Sequence, residues 1–248
     1  MGLLAEDLDA DGDVDLFMTH LDGQTNTIYV NDGGGLFLDT SAMSGLGAPS
    51  VAFTGFGTAA LDYDLDGDLD LVVVNGAVKR LPGLVDTGDR YPLGQKDQLF
   101  RNDGGRRFEE VLPTPGPLAE PDVGRGVAAG DVDNDGLVDL LVSNNNGPAQ
   151  LLLTKGRGHW VGLRLRSRGG PDGAPGALVE LALSQRSLHR RARSDGSYLS
   201  ASDYRILFGT GAESAPRWLE VRWPDGRRTR WLEPPGDRFL VGVDDARR

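Results

Sequence analysis

Three stretches of the 248-residue chain set aspartate at alternate positions around one glycine. They are Asp7-Leu8-Asp9-Ala10-Asp11-Gly12-Asp13-Val14-Asp15, Asp62-Tyr63-Asp64-Leu65-Asp66-Gly67-Asp68-Leu69-Asp70 and Asp131-Val132-Asp133-Asn134-Asp135-Gly136-Leu137-Val138-Asp139. Carboxylates at the first, third, fifth and ninth places, bent round a turn glycine, converge on one point. A hard cation that takes about six to eight oxygens at ~2.3–2.6 Å demands such a cage, so the expected cofactor is Ca2+, up to three ions. The side-chain ligands would be Asp7, Asp9, Asp11 and Asp15; Asp62, Asp64, Asp66 and Asp70; and Asp131, Asp133, Asp135 and Asp139. The residue after each glycine, Asp13, Asp68 or Leu137, would offer its backbone carbonyl, and Leu137 shows that the side chain there is dispensable.

The loops are not EF-hands, which need a bidentate Glu at the twelfth place on a following helix. That place holds Met18, Val73 or Val142 in an apolar run. Magnesium, which keeps its waters in a strict octahedron, suits an all-carboxylate cage less well. The competing reading is a merely solvated acidic turn. Like charges this close cost on the order of 1 kcal/mol per pair even in water, which weighs against it.

The elements that must hold these loops are strands. Each loop runs into a short apolar segment rich in β-formers: Leu16-Phe17-Met18, Leu71-Val72-Val73-Val74 and Leu140-Leu141-Val142. Gly55-Phe56-Gly57-Thr58-Ala59-Ala60 and Gly124-Arg125-Gly126-Val127-Ala128-Ala129 precede the second and third loops, and the turn sequence Asn-Asp-Gly-Gly follows the first two, at 31–34 and 102–105. The loops start 55 and then 69 residues apart, compatible with four-stranded units and an insertion at residues 77–98. With 36 glycines and no long periodic helix, the expected fold is all-β: a partial β-propeller of about three blades over residues 1–155, then a small sandwich-like β domain over 156–248.

Charge separates the same two parts. Residues 1–155 carry 9 basic and 26 acidic side chains, and residues 156–248 carry 17 basic and 11 acidic. An acidic first half lacks the basic footprint that nucleic acid requires. The absence of cysteine excludes disulfides, thiolate metal sites and a cysteine nucleophile. No apolar run is long enough for a membrane-spanning helix, and the first fifteen residues are not a signal peptide.

In the second part, Trp218 to Trp223, Pro224-Asp225-Gly226 and Arg227 to Glu233 read as a hairpin, and Trp160, Leu163, Leu165, Leu178, Val179, Leu181 and Leu183 as further strands. Trp218, Trp223 and Trp231 are expected in the core. Arg222, Arg227, Arg228 and Arg230, with Arg190, Arg191 and Arg193, form either a solvated basic face or a contact for sulfated or carboxylated glycans or an acidic protein. The polar run Ser197, Tyr198, Ser200, Ser202, Asp203 is accounted for by a turn.

Residues 55–71 and 124–140 resemble the FG-GAP or VCBS repeats of integrin-type propellers, with Phe56-Gly57 in the place of the name-giving dipeptide and Arg125-Gly126 departing from it. His159-Trp160-Val161-Gly162, Ser194-Asp195-Gly196-Ser197-Tyr198, Leu207-Phe208-Gly209-Thr210-Gly211 and Val221-Arg222-Trp223-Pro224-Asp225-Gly226 are similar to the ASPIC/UnbV domain. The resemblance implies a calcium-binding propeller followed by a small β domain, in proteins that are mostly extracellular, and supplies no catalytic mechanism. A closed propeller takes roughly 4 to 8 blades. About three therefore implies part of a longer chain, or an assembly that completes the ring.

No G-x-S-x-G, Walker A or H-E-x-x-H motif occurs, and nothing brings His20, His159 and His189 together. The leading expectation is a non-catalytic calcium-binding interaction or adhesion module with a protein or acidic polysaccharide partner. The alternative is a carbohydrate-active lyase or dehydratase, or an accessory protein of natural-product biosynthesis. Calcium modules tuned to ~10⁻⁴–10⁻³ M fill only outside the cytosol, so an extracellular or cell-surface location is expected.

Overall fold

Alternating apolar residues and frequent turn glycines leave this chain little but strands. The computed structural model describes residues 1–88, 91–104, 106–111, 116–167 and 172–244. Gly105 of the second Asn-Asp-Gly-Gly turn, and residues 89 and 90 of the 77–98 insertion, lie outside the described residues. The first sheet holds β1 (Leu3–Glu6), β2 (Asp15–Met18), β3 (Thr27–Asn31) and β4 (Phe37–Asp39) in sequential order, and the second repeats it with β5 (Gly55–Leu61), β6 (Asp70–Asn75), β7 (Gln98–Asn102) and β8 (Phe108–Val111). The third has β9 (Gly124–Gly130), β10 (Asp139–Asn144) and β11 (Gln150–Leu152). In all three the acidic loop joins the first strand to the second.

Strand alternation stacks these sheets like blades. Phe17 of β2 points at Leu71 and Val73 of β6, whereas Val72 and Val74, on the opposite face, meet Leu140 and Val142 of β10. The first strands β1, β5 and β9 lie side by side at the inner end.

Residues 159–243 form two more sheets. One orders β15 (Ile206–Gly211), β12 (His159–Arg166) and β18 (Arg238–Val243), the last pair parallel; the other orders β14 (Ser187–Arg191), β13 (Leu178–Ala182), β16 (Trp218–Arg222) and β17 (Arg228–Leu232), all antiparallel. They enclose Val161, Leu163, Val179, Leu181, Phe208, Leu219 and Trp223. The all-β expectation holds. The count of about three blades falls short of the five small sheets present among the described residues, because only the acidic-loop units carry a repeat by which sheets can be counted in the sequence.

The connection from β14 to β15 is not a simple turn. It runs along the inner edges of the first three sheets: Ser197 N–H donates to the Leu3 carbonyl at 3.1 Å, Thr58 N–H to Ser197 Oγ at 3.1 Å, Ala129 N–H to Ser202 Oγ at 3.1 Å and Asp203 N–H to the Ala129 carbonyl at 2.8 Å. Open strand edges are an aggregation liability, and here the chain covers its own. Beside them Arg193 pairs with Glu6 at 3.2 Å.

Candidate metal centres

The three acidic loops have the same backbone. Gly12, Gly67 and Gly136 lie at φ 95°, 98° and 90°, and the fourth residue of each loop, Ala10, Leu65 or Asn134, lies at φ 60°, 61° and 62°. A left-handed non-glycine residue costs of order 1–3 kcal/mol, so its recurrence at one place shows the loop geometry prevailing over local preference.

Carboxylates at corresponding places accept corresponding bonds. Asp7, Asp62 and Asp131 each accept the N–H of the loop glycine at 3.0 Å. Asp11, Asp66 and Asp135 each accept the N–H two residues on, at 2.9, 2.9 and 3.0 Å. The ninth residues, Asp15, Asp70 and Asp139, are buried at the start of the second strand and engaged through both oxygens. One oxygen takes the N–H of Leu8, Tyr63 or Val132; the other takes the N–H of Asn31, Asn102 or Thr154, at 2.9, 2.8 and 2.9 Å. Thus the Asn of each Asn-Asp-Gly-Gly turn anchors an acidic loop. Thr154 does so in the third unit, with nothing in its local sequence to signal the role.

Carboxylate oxygens of Asp7, Asp9 and Asp15, of Asp62, Asp64 and Asp66, and of Asp131, Asp133 and Asp139 lie within 4.8 Å of one another. Asp11, Asp70 and Asp135 stand beside these triplets without belonging to them. The side chains of Asp13 and Asp68 turn elsewhere: Asp13 reaches toward Gly33, and Asp68 takes Arg186 at 2.7 Å. Leu137 packs with Leu65 and Trp160.

Burial sets the electrostatics. It pushes Asp7 and Asp15 up to about 6, Asp62 to about 7 and Asp70 to about 8, and it also raises Asp9, Asp66 and Asp131. Neighbouring loop carboxylates add to the rise at Asp7, Asp15, Asp62 and Asp70. A cation offsets both causes at once. Asp62 Oδ1 is fully buried and has no hydrogen-bond partner, which leaves one oxygen of the second triplet unsatisfied. An all-oxygen, anionic donor set with such an orphan fits a hard divalent ion.

Basic side chains approach the loops unequally. Arg106 pairs with Asp9 and stands 3.5 Å from Asp11; Lys155 lies 3.5 Å from Asp133 and 3.8 Å from Asp135. At the second loop Arg186 grips Asp68 and the Asp66 carbonyl, while Arg190 donates to the Gly67 carbonyl at 2.9 Å. Gly209 N–H adds a bond to Asp62 Oδ2 at 3.0 Å, in a gap where a Cβ would strike that oxygen. Arg205 bonds the Asp131 carbonyl and Asn134, and the Trp160 ring lies on Gly136. The basic part of the chain thus reaches the acidic loops through Arg186, Arg190 and Arg205.

The remaining candidates are spread out. His20 meets Thr27, His159 meets Asp237 at 2.9 Å, and His189 faces Gly12. Trp223 is core, Trp231 packs against the core, and Trp218 lies under Arg230. Among the described residues no helix is long and apolar enough to cross a membrane.

Comparison with known proteins agrees with this arrangement. Residues 7–73 and 88–142 match the family model described as FG-GAP-like repeat, and residues 168–246 match that described as ASPIC and UnbV. Cartilage acidic protein 1 of Xenopus tropicalis is 30% identical over 263 aligned positions, covering 86% of this chain and 40% of the relative. The proteins of that name from Mus musculus and Homo sapiens are each 29% identical, covering 86% of this chain and 40% and 39% of their own lengths. This chain therefore spans about two fifths of the length of these relatives. It belongs to the family of proteins that join FG-GAP-like repeats to an ASPIC/UnbV region.

Proposed function

We propose that the chain is a non-catalytic calcium-binding interaction module, displayed outside the cell or on its surface. Residues 1–155 form the blade-like part and residues 156–248 the docked β domain. Calcium supplies charge neutralisation to the clustered carboxylates and cross-links each loop. The loops then become rigid seats for Arg186, Arg190, Arg205 and Trp160, so that the two parts present one fixed surface. The buried, unpartnered Asp62 Oδ1 carries this reading: an oxygen placed in a cage of carboxylates and given nothing to bond is explained by an ion. The partner is a protein or an acidic polysaccharide. Leu141 and Leu151 pair on the face of the third sheet turned away from the second, each 52% exposed. That face is a seat for a further blade, from a longer chain or an assembly.

Thermal unfolding in chelator, calcium and magnesium, with bound metal counted by elemental analysis, tests the proposal, because a ligand selective for the folded state raises its stability by mass action. A calcium-specific rise with two or three ions per chain is expected. No response to either ion would leave the loops as solvated turns and remove the basis for the extracellular assignment.

A further inference from the structure

The outer face of the β14-β13-β16-β17 sheet carries two cross-strand rows side by side. Arg191, Leu178 and Arg222 pair directly across three strands, and so do His189, Glu180 and Glu220 in the next row. These rows and the first acidic loop, through Gly12 and Val14, wall a groove of about 180 Å3.

Within the groove two opposite charges are left free. Most arginines of this half are occupied: Arg193 by Glu6, Arg227 by Asp225, and Arg228 and Arg230 by Glu220. The Arg222 side chain has no hydrogen bond or ion pair among the described residues, while Arg191 donates through Nη2 to the Ala5 carbonyl at 3.5 Å and keeps a buried Nε without a partner. Glu180 sits directly opposite Glu220, an unfavourable like-charge pairing in a sheet. Glu220 is relieved by two arginines, whereas Glu180 has no partner among the described residues. Arg222 and Glu180 are diagonal neighbours on adjacent strands, yet they do not pair. Between them Leu178 is 44% exposed.

One free guanidinium with a second, only partly engaged beside it, a free carboxylate acceptor and an apolar side chain between them describe a ligand that is anionic at one point, carries hydroxyls at another and has an apolar face. We infer that the groove binds one acidic sugar unit of a polysaccharide. Its carboxylate or sulfate lies between Arg191 and Arg222, its hydroxyls donate to Glu180, and its ring rests on Leu178. The volume is below the ~300 Å3 at which pockets for drug-sized ligands begin, which limits occupancy to about one ring. This inference rests on the interaction-module reading and assigns it a site and a ligand class.

The test is calorimetric titration of the whole chain with three oligosaccharides of equal length, one of uronate units, one sulfated and one neutral, each in calcium and in chelator. The uronate or the sulfated chain should bind and the neutral one should not; the tighter of the two identifies the anion. Arg222→Ala, at an exposed and unpaired position, should weaken binding about tenfold or more. Glu180→Gln should weaken the oligosaccharide but not inorganic sulfate. Equal binding of the neutral chain, binding by neither anionic chain, or an unchanged Arg222→Ala variant overturns the inference. Calcium titrations of the same samples separate the two readings: sugar binding without calcium binding sinks the calcium role alone, and calcium binding without sugar binding sinks the groove alone.

Discussion

The second and third acidic loops share a motif and a backbone, yet they occupy different surroundings. At the second, Gly209 and Arg190 of the docked part close over the loop, and one oxygen of Asp62 has no partner. In the third, both oxygens of the corresponding Asp131 accept backbone N–H bonds, and Lys155 stands over Asp133 and Asp135. Identical ligands therefore do not make identical sites. An oxygen left without a partner and the nearest intramolecular cation set what each loop offers a metal. On this account the second loop is the tightest calcium site, and the first and third are weakened by Arg106 and Lys155.

The largest expected effect removes what the two loops share. Trp160 packs with Leu65 of the second loop and Leu137 of the third. Trp160→Ala should cost about 3–5 kcal/mol, the usual range for deleting a buried aromatic ring, and should lower the melting temperature with or without calcium. Asp62→Ala loses the Gly67 and Gly209 hydrogen bonds and should lower stability somewhat even in chelator; beyond that, about 3 kcal/mol of calcium-dependent stabilisation should vanish at calcium near a hundredfold over Kd, with one ion fewer per chain. Asp133→Ala should lose an ion with a much smaller change in melting temperature. Equal losses in these two variants would erase the distinction between the loops.

Proton linkage sharpens the contrast. Asp62 and Asp70 titrate near 7 and 8 in the folded chain because burial holds their protons, well above the ordinary carboxylate value. Between the unfolded value of about 4 and those folded values the native state binds more protons than the unfolded one, so in chelator stability falls as pH rises through that window. Calcium requires the deprotonated ligands, so its affinity should rise with pH over the same range. Melting curves in calcium and in chelator should therefore diverge from about pH 4 to pH 8, and the divergence should shrink most in Asp62→Ala. The smallest effects belong to the competing cations. Lys155→Gln should tighten the third site a few-fold, within the ~1 kcal/mol of an exposed ion pair, Arg106→Gln should tighten the first, where Asp9 is buried, by somewhat more, and both should leave the second loop unchanged in calcium titrations.

Much of this site is legible in the sequence because the loop chemistry is local. Nine residues show that carboxylates cluster round a turn glycine, though not which three of the four lie nearest one another, and the apolar runs after them announce the second strands. What surrounds the loops is not local. Gly209 reaches Asp62 from 147 positions away, and Arg205 reaches the Asp131 carbonyl from 74. The polar run from Ser197 to Asp203 reads as a turn when taken alone, because its side chains match a turn's composition; only packing reveals that it binds the inner edges of three sheets. Likewise Thr154 carries no motif, although it holds Asp139 as Asn31 and Asn102 hold Asp15 and Asp70. The C-terminal strands alternate clearly, but without a repeated loop their division into two sheets depends on which hairpins face one another.

The most direct test of the central claim is a calcium titration, followed by calorimetry, of the wild-type chain, Asp62→Ala and Asp133→Ala at neutral pH. Two or three calcium sites are expected in the wild type, with the tightest lost in Asp62→Ala and a weaker one lost in Asp133→Ala while the tightest stays intact. Absence of calcium binding in the wild type, or an unchanged tightest site in Asp62→Ala, would contradict the central claim.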